Sequence, residues 1–326
     1  MPQRLALLED WLHRLPGLAG SRIEPASDDA SFRRYFRVST KGGTFIAMDS
    51  PPDKEAVEPF MRIAEQMRSV GLHVPEVLAH DTERGFLLVS DLGSRLYLEA
   101  LNADTVERLY GDALSALAVI QACAPTQGLP SYDAALLRRE LELFPQWLLE
   151  RRLGLNLSPE ERSALEQVFR LLIDAALEQP RVFVHRDYHS RNLMVTASPS
   201  PGILDFQGAV LGPVTYDLVS LLRDCYVRWP RDKVQDWAWG YFELAVQSGI
   251  LRAEHEGDFQ RWFDLMGVQR QLKASGIFTR LYLRDGKPGY LEDIPRTLGY
   301  VLEVAPSYPS LAPLADLIAQ RVMPRL

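Results

Sequence analysis

With 326 residues, 47% hydrophobic and 24% charged, the chain has the composition of a globular protein of about two domains, long enough to bury a large core. A formal net charge of -7 leaves no basic footprint for nucleic acid or an anionic membrane surface, so neither is expected as a partner. Cys123 and Cys225 lack metal-type spacing and read as buried thiols; no apolar run approaches the ~20 residues of a membrane span, and Glu9 and Asp10 break up any signal-like start, so a cytoplasmic location is expected.

Leu5, Leu8, Trp11, Leu12 and Leu15 recur at helical spacing, and Pro16-Gly17 ends that first helix over residues 3–15. Three strands follow. The first lies near Arg22–Ala26, and the second, Phe32–Val38, alternates Phe32, Arg34, Phe36 and Val38 against Arg33, Tyr35 and Arg37. The turn Lys41-Gly42-Gly43 leads to the third, Thr44–Met48. Between the first two strands the polar turn Ser27-Asp28-Asp29-Ala30-Ser31 offers N–H and hydroxyl donors to an anion, which makes Ser27, Asp29, Ser31 and Arg33 candidates for holding phosphates. No G-x-G-x-x-G is present, so as a lone hairpin it would be structural.

Pro51-Pro52 breaks the chain before a helix over Glu55–Val70 with Val57, Phe60, Met61, Ala64 and Met67 on one face. Val74–Leu78 and Gly85–Val89 read as two more strands. Ser90-Asp91-Leu92-Gly93 reads as a connector at which an adenine ring would find backbone partners, with Ser90 and Asp91 as candidate cofactor residues. These elements form a small front lobe, 1–91, with a five-stranded antiparallel sheet. Beyond it, 92–326, helices dominate: Thr105–Cys123, Leu136–Arg152, Pro159–Gln179, Tyr216–Val227, Val234–Ser248, Glu256–Leu283, Pro295–Val304 and Leu311–Val322. Ser158-Pro159-Glu160-Glu161 opens one of them as an N-cap with proline and acids in the first turn.

One stretch interrupts the helices. Short β-branched runs, Val182–Val184, Leu193–Val195 and Ile203–Leu204, bracket His185-Arg186-Asp187-Tyr188-His189-Ser190-Arg191-Asn192 and end at Asp205. The spacing H-R-D-x-x-x-x-N followed by a strand-end aspartate is that of a phosphoryl-transfer site. Such a reaction needs an acceptor hydroxyl deprotonated and positioned, and phosphate charge neutralised by a hard cation with oxygen ligands. Asp187 is the candidate base; Asn192 and Asp205 complete the catalytic set and are the candidate Mg2+ ligands, with ATP as the phosphate donor. His185 reads as a loop-orienting group. His189, Arg191, Arg223, Asp224 and Tyr226 are candidate substrate residues beside Asp187, with Arg228 and Trp229 close behind them.

With this block between a mixed front lobe and a helical rear, the chain resembles the aminoglycoside phosphotransferase and choline-kinase-like family. The resemblance spans nearly the whole chain and is strongest at His185–Asn192, Leu204–Gln207 and Gly212–Leu218. It implies an α+β, protein-kinase-like bilobal fold and an ATP- and Mg2+-dependent small-molecule kinase, with Asp217 bracing the catalytic loop. Asp29–Arg37, Met48–Pro52 and Gly276–Leu281 resemble one subgroup, the anomeric sugar kinases of cell-wall recycling. That likeness implies action on the C1 hydroxyl of N-acetylmuramate and N-acetylglucosamine, with the product returning to peptidoglycan synthesis; a monomer is expected. Another hydroxyl acceptor, an aminoglycoside or choline, is the alternative substrate. The basic cluster Arg280, Arg284 and Lys287 favours a neutral or anionic one.

One position departs from the kinase pattern. Met48 stands where a third-strand lysine would pair with ATP phosphates and a helix glutamate. Either Arg33, Arg34 or Arg37 supplies the cation, or the phosphates rely on metal and backbone donors, with Glu55, Glu58 and Glu65 left to solvent; a nucleotide-binding pseudokinase is the further alternative.

Overall fold

The computed structural model describes residues 2–27, 33–197 and 199–326, with the side chains of 2, 3 and 27 excepted. In chain order the elements are α1 (Pro2–Arg14), β1 (Arg22–Ser27), β2 (Arg34–Thr40), β3 (Gly43–Asp49), α2 (Glu58–Ser69), β4 (Val77–Asp81), β5 (Phe86–Ser90), α3 (Tyr97–Ala100), α4 (Val106–Cys123), α5 (Ala134–Leu141), a π-helix (Phe144–Arg152), α6 (Pro159–Leu177), β6 (Arg181–Val184), β7 (Leu193–Met194), β8 (Gly202–Ile203), β9 (Val210–Pro213), α7 (Tyr216–Leu222), α8 (Arg231–Gln247), α9 (Glu256–Asp285), α10 (Ile294–Val304) and α11 (Ala312–Leu317). They form two compact units. Met1–Arg95 with Met194–Gln207 make the first, and Leu96–Leu193 with Gly208–Leu326 the second.

The first unit is built on the expected five-stranded antiparallel sheet, in the order β1-β2-β3-β5-β4. Alternation decides which face is dry: Phe36, Val38, Ala47, Phe86 and Leu88 pack with Leu8, Trp11 and Leu12 of α1. The apolar stripe read from the first helix therefore covers the sheet. Burying that many large side chains, at roughly 1.5–3 kcal/mol each, is the main force holding this unit. Asp49, fully buried at the end of β3, is held between two arginines. Arg4 Nε lies 3.0 Å from Oδ1 and Arg34 Nε 3.1 Å from Oδ2. Two opposing cations make its burial tolerable.

The second unit is helical around α9, a 30-residue helix buried along most of its length. A helix apolar on so many sides belongs in a core, and α6, α7, α10 and the π-helix pack around it. Gly276 makes one crossing possible: a Cβ there would stand 2.4 Å from the backbone carbon of Leu143. The two-stranded pair β6-β9 carries the chain into the motif at His185.

The structure corrects several expectations of local structure: the strand expected at Val74–Leu78 lies at Val77–Asp81, and the helix expected over Leu311–Val322 divides into α11 and a second π-helix, Ile318–Val322. The helix expected over Leu136–Arg152 breaks into α5 and a π-helix, because Pro145 has no N–H to continue the α ladder. The helix expected to run from Tyr216 to Val227 stops at Leu222, so Arg223, Asp224 and Tyr226 lie in the following turn, where Gln271 Nε2 donates to the Arg223 carbonyl at 2.6 Å. Cys123, expected to be buried, is exposed at the end of α4, whereas Cys225 is buried. Among the described residues no helix is long and apolar enough to cross a membrane.

Candidate active site

The motif loop of the second unit is held from beneath by two buried carboxylates. Asp217, in the first turn of α7, accepts from the backbone N–H of His185 at 2.6 Å and of Arg186 at 2.9 Å. Asp224 accepts from Ser190 N at 2.9 Å and from its own turn at Tyr226 N, also 2.9 Å. The loop therefore hangs on side-chain acceptors at both ends, which replace a strand ladder that its sharp bend excludes. The bend is strained: Arg186 is a non-glycine residue at φ +78°, a conformation costing about 1–2 kcal/mol. Burial pushes the Asp217 carboxyl up to about 7 against the pull of its two N–H donors, and the neighbouring Asp187 adds to the rise.

Asp187 itself moves the other way. Burial opposes its charge, but Lys273, His189, Arg186 and His185 more than compensate and hold it below the usual carboxylate range. It is thus kept as an anion, the form a general base needs. Asn192 Nδ2 donates to the Asp187 carbonyl at 2.9 Å, which fixes the amide and leaves its oxygen as a potential ligand. Burial holds His189 below its ordinary value, so its imidazole is neutral near pH 7, edge-on to Tyr226 at 5.4 Å. His185 is buried, with its ring edge-on to Tyr188 and its Nδ1 3.3 Å from Asp187 N.

Behind the loop lies a charge cluster that periodicity did not single out. Glu140, 5% exposed, is contacted by Arg186 and by the Tyr132 hydroxyl, with Lys273 Nζ at 3.4 Å and Gln269 Nε2 at 3.4 Å. Lys273 also donates to the Tyr216 hydroxyl at 2.7 Å. Burial works against both charges, yet Glu140 stays below its normal range and Lys273 above its own, because each sees the other. The available signal was Lys273 itself, a lysine flanked by Leu272 and Ala274 on a helix otherwise rich in buried residues.

The remaining candidate acceptor residues separate. Tyr226 stays beside the loop with Arg191 over its ring, 4.2 Å from guanidinium carbon to centroid. Arg223 turns into the core, paired with Asp264 at 2.5 Å and lying over Phe263. Arg228 pairs with Glu303, and Trp229 packs on Tyr110 and Trp237.

In the first unit, Asp205 sits at φ +60° with Gln207 Nε2 2.5 Å from Oδ1. Phe206, next in the chain, packs on Phe60 of α2 at 4.8 Å and fixes this segment to the helix. Ser90 and Asp91 have their side chains committed locally. Ser90 Oγ accepts from Glu76 N at 2.9 Å, and Asp91 holds Arg37 at 2.8 Å and Gly93 N at 2.9 Å. Asp29 and Ser31 lie outside the described residues, as does the Ser27 side chain. Met48 is fully buried within the sheet, between Tyr35 and Leu87. Of the three arginines read as substitutes for a lysine, Arg34 is taken by Asp49 and Arg37 by Asp91, while Arg33 pairs with Glu55 at 3.1 Å. Glu55, expected to be solvated only, therefore has a buried cationic partner. Among the described residues no cluster of three or more His, Cys, Asp or Glu side chains forms a preassembled metal site. Asn192 in the second unit carries an amide oxygen and Asp205 in the first a carboxylate, the ligand types that hard cations favour.

A model of the phosphotransferase enzyme family matches residues 22–246. An N-acetylmuramate/N-acetylglucosamine kinase of Pseudomonas putida is 50% identical over 303 residues, 93% of this chain and 88% of that one. A protein of the same name from Neisseria meningitidis is 40% identical over 325 residues, covering 98% and 96%. Among solved structures, a choline kinase from Streptococcus pneumoniae superposes with a TM-score of 0.65 at 13% identity, over 94% of this chain and 100% of that one. At that identity the likeness speaks for the fold.

Replacing Asp217 with Ala would strand two backbone donors under the loop and is expected to remove roughly 3 kcal/mol of stability. Urea unfolding together with amide exchange at His185 and Arg186 measures this. Unchanged exchange at those two amides would show that the loop does not depend on the carboxylate.

Proposed function

Since this chain belongs to the phosphotransferase enzyme family and is a small-molecule kinase, we propose that it transfers the γ-phosphoryl group of ATP to the anomeric hydroxyl of N-acetylmuramate and N-acetylglucosamine. The observation that carries this reading is Asp187 on a loop braced by Asp217, in a chain half identical to a kinase named for those two sugars. In this reading Asp187 orients the C1 hydroxyl and takes its proton as the oxygen bonds to the γ-phosphorus and ADP leaves. Asn192 and Asp205 each offer an oxygen to Mg2+, which would neutralise phosphate charge. The backbone of Ser90–Gly93 serves the adenine ring, and Ser27, Asp29 and Ser31 serve the phosphates. Arg33, steadied by Glu55, takes the role that Met48 leaves vacant.

Incubation with Mg-ATP and a panel of N-acetylmuramate, N-acetylglucosamine, glucose, kanamycin and choline, read by phosphorus NMR, tests the reaction. A sugar 1-phosphate from either amino sugar is expected. Turnover with kanamycin or choline alone would move the substrate, and bound ATP with no turnover would make the chain a pseudokinase. Asp187→Asn should lower turnover by about 10²–10⁴-fold with ATP affinity retained.

Arg33→Met is expected to raise KM for ATP while leaving KM for the sugar near its starting value. Equal changes in both would remove Arg33 from the phosphate site.

Lys273 contributes most to keeping Asp187 ionised against burial, so its loss should raise the Asp187 pKa. The acid limb of the kcat/KM profile, where Asp187 takes up a proton, then moves to higher pH in Lys273→Met. A merely structural defect would lower the plateau and leave the limb in place.

A further inference from the structure

Arg191 is held by the faces of two aromatic rings. Its guanidinium lies over the Tyr226 ring at 4.2 Å and over the Tyr290 ring at 5.2 Å. The rings are themselves fixed: Phe278 of α9 stacks on Tyr290 at 5.6 Å and 23° and touches Tyr226 at 6.0 Å. Several arginines of this unit hold acids. Arg138 holds Glu166, Arg186 holds Glu140, Arg223 holds Asp264 and Arg296 holds Asp293. Among the described residues no carboxylate oxygen lies within 4 Å of Arg191; Asp293, which feels its charge, is already bound by Arg296 at 2.5 Å. Arg191 is exposed, next to Asn192 and four residues beyond Asp187.

A guanidinium keeps its charge at any working pH, and contacts of its face with aromatic rings orient its plane. Such contacts use the face and leave the in-plane N–H edge available. A planar, pre-oriented and unpaired N–H edge is suited to bidentate capture of a carboxylate. The two amino sugars differ in this respect: N-acetylmuramate carries a lactyl ether ending in a carboxylate where N-acetylglucosamine has a neutral hydroxyl. We propose that Arg191 binds the carboxylate of the acceptor and sets preference between acidic and neutral amino sugars, with Tyr226 and Tyr290 as positioning residues that hold its plane. This rests on the amino-sugar kinase reading. It also moves anion recognition away from the Arg280–Lys287 cluster, where Arg284 is bound to Asp285 at 2.8 Å.

The test is kcat/KM for both sugars with wild type, Arg191→Met, Arg191→Lys and Tyr290→Leu, alongside thermal unfolding. Arg191→Met is expected to lose roughly 30-fold more on N-acetylmuramate than on N-acetylglucosamine, the scale of a charge-assisted hydrogen-bonded contact, mainly through KM. Arg191→Lys should recover part of that difference, and Tyr290→Leu should shift the ratio in the same direction by less. Should Arg191→Met fail to fold, the ratio is read from Arg191→Lys, which keeps the charge and loses the planar pair of donors. Equal losses on both sugars would make Arg191 a structural residue and overturn the proposal, with the amino-sugar reading intact. A wild-type protein that phosphorylates neither sugar would overturn that reading and the proposal with it.

Discussion

The carboxylate of Asp217 under the N–H groups of His185 and Arg186 is the interaction on which the candidate site depends. A loop that bends between two short strands cannot satisfy its own backbone, and a buried unpaired N–H is expensive. Asp217 and Asp224 supply the missing acceptors from the segment that follows β9, so the packing of α7 against α9 sets the shape of the loop. The strain at Arg186 persists because its neighbours determine it from several sides: Asp217 holds its N–H and Glu140 its side chain.

Behind that loop, charge is arranged to decide a protonation state. Burial alone would neutralise Asp187. Lys273 and Arg186 offset that tendency, and Glu140 in turn keeps those two cations charged inside the protein. The cluster is worth little as a stabilising ion pair, since desolvation consumes most of the attraction. Its effect is to hold an anion in a place where an anion would otherwise be unstable. The sheet unit uses the same device at Asp49, where Arg4 and Arg34 clasp a carboxylate at the end of β3.

Much of the fold was legible. Period-two alternation with glycine turns gave the strands, and 3.6-residue periodicity gave the helices, because both patterns record which side of an element is dry. The failures were local. Pro145 turned an expected α-helix into a π-helix, and the helix after Thr215 ended early, at Leu222, with Arg223 paired to Asp264 and Asp224 to the Ser190 N–H. The spacing of Asp187, Asn192 and Asp205 is visible in the chain itself, and the family likeness pointed to Asp217, whose carboxylate does hold the loop backbone. Glu140, Lys273 and Tyr290 were not legible, since they lie far in the chain from the motif they surround.

The sequence by itself determined the strand and helix content, the H-R-D-x-x-x-x-N spacing and the family, all of which depend on near neighbours or on fixed spacing. Only the tertiary structure decided which charges are paired. It sent Arg223 to Asp264, Arg33 to Glu55 and Lys273 to Glu140, and left Arg191 between two tyrosines. The reason is physical: the energy of a charge depends on its burial and on partners many residues away, and neither is encoded in the residue's own neighbourhood.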